Sequence, residues 1–316
     1  MDSSIEALLA CRLITYTEKA RVPKTLAIFI RNATHALTHE GRVDLGQNIR
    51  GDIFHHSASS TLFYAFSWFN PRNPFEYLSL GLDIVCQMTL HPSKGCSAFH
   101  LSKAEAFLAH PAFLKPFDTH RPSLQRVVLC GFSMGGGIAT IMAMLLAERN
   151  TYPLTLVTFG TSRMGDAAFS SRLKEVCEPE SQNIVLCRRR RAGRERERER
   201  EGEGEGGAES SPSSHYDYDP VCLSPALRDG FADLPFCKCL VVGEGRLVDM
   251  DHEHRLDMAQ QDDVGETSFW KSVGNFLFTL SPHEREYNRC YRDLHDIKKY
   301  YENYSAAARE SSQANL

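Results

Sequence analysis

Gly131-Phe132-Ser133-Met134-Gly135 reads G-x-S-x-G, and its two flanks differ in kind. Before it, residues 125–130 (QRVVLC) form a short apolar run of β type. After it, residues 136–147 (GGIATIMAMLLA) strongly favour helix. A strand that turns into a helix at one residue needs a sharp bend, and a serine there is lifted above the sheet edge. Glycine on either side admits neighbouring backbone where a Cβ would clash. The helix N-terminus behind the serine favours negative charge developing beside it. Five residues of this pattern arise by chance in roughly one chain of this length in ten. The strand before and the helix after are what make the match specific, and they predict an α/β fold with Ser133 as a nucleophile.

The chain has 316 residues, enough for one large α/β domain, which is expected to span 1–316. A net charge of -4 offers no field for nucleic acid. No run reaches the ~18 apolar residues of a membrane span. The start lacks a basic n-region, and Arg12 interrupts its apolar stretch, so cytoplasmic residence is the expectation. The ten cysteines are scattered, several within apolar runs, as buried thiols would be rather than a disulfide framework. Cys237-Lys238-Cys239 is too short for C-x-x-C, and no metal or organic cofactor is implied.

Other elements follow from periodicity. Residues 4–20 carry Ile5, Leu8, Leu9, Leu13 and Tyr16 at helical spacing. Residues 98–114 are predicted helical, with Pro111 as a break or kink. Residues 25–30, 154–159, 183–187 and 236–242 are strand candidates. The aromatic stretch 53–75 is either a lid over an acyl pocket or buried core. Residues 188–214 form a low-complexity insertion. From Arg188 to Glu209 there are eight arginines and seven glutamates, followed by Ser/Pro. Nothing there buries apolar area, so disorder is expected. Strict Arg-Glu alternation is also what a translated purine repeat or a retained intron would give.

Residues 158–166 read T-F-G-T-S-R-M-G-D. This stretch paired with G-x-S-x-G resembles the class 3 lipases, fungal-lipase-like α/β-hydrolases whose usual motifs are G-H-S-L-G-G and T-F-G-x-P-R-x-G-D. Phe132 replaces the family's His and Ser162 its Pro, and neither change removes a catalytic atom. The resemblance implies an α/β-hydrolase fold, with a mostly parallel central sheet flanked by helices. It also implies a Ser-Asp-His triad that hydrolyses lipid esters, acylglycerols above all, through an acyl-enzyme. Lipid is then the expected substrate, with transient contact to a lipid surface, and neither nucleic acid nor a transmembrane segment is involved.

In that order of residues the acid follows the strand after the T-F-G loop. Asp219, in Asp219-Pro220-Val221, resembles the family's D-x-V-P acid, and Asp217 is its local competitor. The base comes late. His295, five residues before Tyr300, fits the family's H-x-x-x-x-Y, ahead of His283. His252 and His254 lie in a polar loop. The Met134 N–H is the expected first oxyanion donor. The second comes by resemblance from Phe29–Thr34, at Thr34 or Ala33, a stretched form of F-R-G-T. Arg163 and Asp166 are expected to be structural. Two other readings stay open: an inactive lipase-like scaffold for protein interaction, and a small-ester or thioester hydrolase.

Overall fold

The computed structural model describes residues 2–46, 49–68, 89–149, 152–189, 216–218, 220–223, 230–242, 246–250, 294 and 296–313. In chain order, α1 (Ser3–Thr17) is followed by β1 (Thr25–Ile30), β2 (Ala33–Asp44), β3 (Ile49–His56) and β4 (Thr61–Trp68). Then come α2 (Ala98–Ala109), α3 (Pro111–His120), β5 (Arg126–Phe132), α4 (Met134–Ala147), β6 (Leu154–Phe159), α5 (Ala167–Val176) and β7 (Gln182–Arg189). The chain ends with β8 (Tyr216–Tyr218), β9 (Cys237–Val241), β10 (Arg246–Asp249) and α6 (Ile297–Gln313).

All ten strands join one sheet, ordered β1-β2-β3-β4-β5-β6-β7-β9-β10, with β8 on β7. Its centre, β4-β5-β6-β7-β9, is parallel as the resemblance implied. The outer pairings β1-β2, β2-β3, β3-β4 and β9-β10 are antiparallel, as is β7-β8. Parallel strands need both faces covered, and β6 is accordingly buried at every residue. Period-2 alternation on β5 divides the core. Val127 and Leu129 join the cluster beneath α2, α3, α4 and α5. Val128 and Cys130 join the cluster under α1 and α6.

The sequence reading holds for α1, whose helical register buries Leu8, Leu9, Leu13 and Ile14. It also buries Glu6, which lies against Arg126 of β5 as an ion pair. Pro111 does break the 98–114 stretch: it is the first residue of α3, capped by His110, which also ends α2. Phe54, Phe63, Tyr64 and Phe66 are fully buried on β3 and β4, so the described part of the aromatic stretch is core. Residues 69–75 lie outside the described residues. Strand β7 runs through Arg188 and Arg189, so two arginines of the charged tract are sheet. Residues 190–215 of the tract lie outside the described residues. No disulfide joins the eight described cysteines, seven of which are buried. Among the described residues no helix is long and apolar enough to cross a membrane.

Candidate active site

The elbow has the local geometry its sequence predicts. β5 ends at Phe132, α4 begins at Met134, and Ser133 between them sits at φ 55°, ψ −126°. Positive φ costs a non-glycine residue roughly 1–3 kcal/mol, so the surrounding structure must hold it there. It does so from both sides. The Ser133 N–H donates to the Phe159 carbonyl at 2.9 Å, and its own carbonyl accepts from Gly137 N–H at 3.2 Å. The glycines are steric necessities. A Cβ on Gly131 would strike the Gly135 and Gly136 backbone, and one on Gly135 would strike the Phe66 carbonyl of β4. Ser133 is half-buried at the C-terminal end of the parallel strands, at the head of α4. This is the position in which a helix dipole stabilises an anion.

The T-F-G-x-x-R-x-G-D stretch braces this turn. Gly160 takes φ 56° and donates its N–H to Ile184 at 3.0 Å. Thr161 packs against Gly136, where a Cβ would collide with its Oγ1. Arg163, 2% exposed, pairs through Nε with Asp233 at 2.8 Å. Asp166 caps α5 by accepting from Phe169 N–H at 2.8 Å. Both are structural, as expected. His100 is wholly buried against Gly137, with Nδ1 2.9 Å from Ser97 Oγ. Burial lowers its pKa to about 3, which keeps the ring neutral. It packs the first turn of α4.

Of the residues predicted from sequence, Ser133 and Met134 come together at the elbow. Asp219 and His295 lie outside the described residues, as do His283, His252 and His254, while Asp217 is the middle residue of β8. Thr34 is not at the site, and this corrects the sequence reading. Ile30 pairs with Ala33, and Arg31 and Asn32 between them both have positive φ, so β1-β2 is a tight hairpin at the sheet edge. The register Thr38↔His55, Leu62↔Val127 puts Thr34 beyond the opposite end of the strands from Ser133. At ~3.3 Å per residue, that is on the order of 30 Å away. The strand beside the elbow is β4, whose Phe66 and Ser67 backbone lies against Gly135. Apolar run and turn chemistry alone gave no way to choose between β1 and β4. The two-residue Arg-Asn connection was the available cue for an edge hairpin.

Two described segments bear on the other triad positions. At Cys187, β7 pairs with Val241 of β9 along one edge and with Tyr218 of β8 along the other. The second edge is the one β6 occupies lower down, where Phe159 meets Ile184. β8 thus continues the slot of β6 just beyond its end, and Tyr218 runs back toward Gly160. At the C-terminus, Tyr300 of α6 is fully buried. Its ring lies 5.9 Å from Phe132 and 5.8 Å from Phe159, and its hydroxyl accepts from Leu186 N–H at 3.0 Å. Leu294 is buried in the same cluster.

Residues 107–188 match the model of the family Lipase (class 3), a span that covers both motifs and ends at the first arginine of the charged tract. No curated protein sequence matches the chain. Among solved structures, a fungal lipase aligns at TM-score 0.52 and 10% identity, covering 81% of this chain and 91% of that one. The native Rhizomucor miehei lipase propeptide complex aligns at 0.51 and 15%, covering 83% and 80%. Lipase II from Rhizopus niveus aligns at 0.47 and 18%, covering 75% and 77%. At these identities the first two likenesses show the fold, which is that of the α/β-hydrolases.

Proposed function

We propose that this chain, a class 3 lipase by its 107–188 segment, hydrolyses carboxylic esters of lipids, acylglycerols being the substrate class. The observation that carries the reading is the elbow: a serine held at φ 55° between a parallel strand and a helix N-terminus. A serine hydroxyl is a poor nucleophile until a base takes its proton and a third group orients that base. Asp219 is the acid in this reading. The support is that Tyr218, the residue before it, lies in the slot directly above β6. His295 is the base. The support is that Tyr300, five residues on, packs against Phe132, the neighbour of the nucleophile.

Ser133 Oγ attacks the ester carbonyl as His295 takes its proton. The Met134 N–H at the head of α4 receives the oxyanion. A second donor comes from the C-terminal end of β4 at Ser67–Trp68, which adjoins Gly135. His295 protonates the leaving alcohol, and water then releases the acid by the same path in reverse.

The test is turnover of p-nitrophenyl esters of graded chain length by the native chain and by Ser133→Ala. Turnover should rise with acyl length, and the variant should lose at least ~10³-fold in kcat. Equal turnover by the variant removes Ser133 from the mechanism. No turnover by either protein would favour the scaffold reading, and a preference for short acyl groups would favour a small-ester hydrolase.

A further inference from the structure

The far end of the sheet carries a cluster that the hydrolase site does not use. Glu40, His55 and His120 each offer one ligand atom, and the three atoms lie within 4.8 Å of one another. They come from three elements. His55 is on β3, on the same face as Ile53 and the α2-α3 packing. His120 is the last residue of α3. Glu40 owes its position to a defect in pairing. The β2-β3 register steps from His39↔Phe54 to Gly41↔Ile53, so Glu40 is the extra residue of a β-bulge. Bulges re-aim a side chain in this way.

We propose that Glu40, His55 and His120 form a binding site for a divalent first-row transition metal ion, zinc in the first place. The donor set is two imidazoles and a carboxylate, which suits zinc and leaves a fourth position for water. Two ligand atoms ~2.1 Å from a tetrahedral ion lie roughly 3.4 Å apart. The His120 Nε2 to Glu40 Oε1 distance is 3.4 Å. That Nε2 is a buried atom that makes no hydrogen bond, and it faces the carboxylate across that gap. The imidazoles of His55 and His120 stack with centroids 3.8 Å apart, so one ring must turn for both lone pairs to meet one ion. The C-terminal pole of α3 favours a cation as well. Side chains 18% and 24% exposed, for His120 and Glu40, give an entry path.

The ion would not take part in ester hydrolysis. His55 pairs through Leu62 to Val127, six residues back along β5 from Ser133, or ~20 Å along the strand direction. It would instead fasten the end of α3 to the bulged hairpin of the outer sheet.

The test is titration of the metal-free full chain with Zn²⁺ by calorimetry, and with Co²⁺ by absorbance. One equivalent should bind, with the intense visible bands of four-coordinate Co²⁺, and the melting temperature should rise with Zn²⁺. His120→Ala and Glu40→Gln should each weaken binding more than tenfold while p-nitrophenyl ester turnover stays within twofold of native. Absence of stoichiometric uptake by the native chain overturns the proposal. So does uptake that both variants retain, since the ion would then sit on other histidines. Should His120→Ala fail to fold, as judged by far-UV circular dichroism, Glu40→Gln and the native titration still decide.

Discussion

A methyl group on Gly136 tests how the two motifs hold each other. Gly136 lies in the first turn of α4, and its Cβ would overlap Thr161 Oγ1, with Thr161 Cβ and Cγ2 at 3.1 and 3.2 Å. Overpacking of this kind costs about 1–3 kcal/mol. Alanine regains ~1 kcal/mol of helix propensity over glycine. Gly136→Ala should therefore destabilise by a net ~0–2 kcal/mol. Thr161 is 2% exposed, and its hydroxyl has no hydrogen bond, so Thr161→Ala forfeits little beyond a methyl contact, ~1 kcal/mol. In the double variant the Oγ1 overlap is gone, the two Cβ atoms at 3.1 Å need give only a few tenths of an ångström, and the propensity gain remains. Its stability should match that of Thr161→Ala alone or exceed it. The coupling energy is then the overpacking cost itself, ~1–3 kcal/mol, measured by urea unfolding with unchanged m-values. Additivity within ~0.3 kcal/mol, or a Gly136→Ala chain more stable than native, would refute the idea that this contact fixes the elbow.

Glu6 has its pKa raised to about 7 by burial, against the pull of Arg126. The folded state therefore holds a proton that the unfolded state releases near 4.5, and stability should fall as pH rises from about 4.5 to 7, by up to ~3 kcal/mol. Glu6→Gln should flatten that slope in urea midpoints taken across the range. Asp52 is fully buried and meets both Arg42 and His39 at 2.7–2.9 Å, while Arg42 also donates to the carbonyls of Thr17, Lys19 and Ala20. Asp52→Asn should lower stability by ~2–3 kcal/mol by thermal unfolding, with Arg42 keeping its backbone acceptors. Asp219→Ala and His295→Ala should each reduce kcat on p-nitrophenyl esters by at least ~10³-fold with folding intact. A loss that falls on Asp217→Ala instead would reassign the acid.

The parts legible in sequence were those whose constraints are local. An elbow is specified by residues no more than four apart, and the break at Pro111 by the proline itself. What failed was long-range. Residues 25–34 look like the strand and loop that would flank a nucleophile, but only the Ile30↔Ala33 pairing shows them closing on themselves at the edge. β4 was hidden in an aromatic run because a strand buried on both faces shows no alternation. The Glu40-His55-His120 group was invisible for a related reason. Its members are separated by 15 and 65 residues, and a bulge that no local pattern announces brings the first of them to the others.

The pairing of Arg189 with Tyr216 changes the standing of the charged tract between them. Two residues in register on neighbouring strands lie about 5 Å apart, whatever length of chain connects them. The tract therefore meets the fold at a boundary condition fixed by the sheet. Relative to a four-residue hairpin loop, closing the 26 residues 190–215 adds only ~2 kcal/mol of entropy. Where the chain leaves β8 is decided by the ladder to Cys187 rather than by the repeat that precedes it.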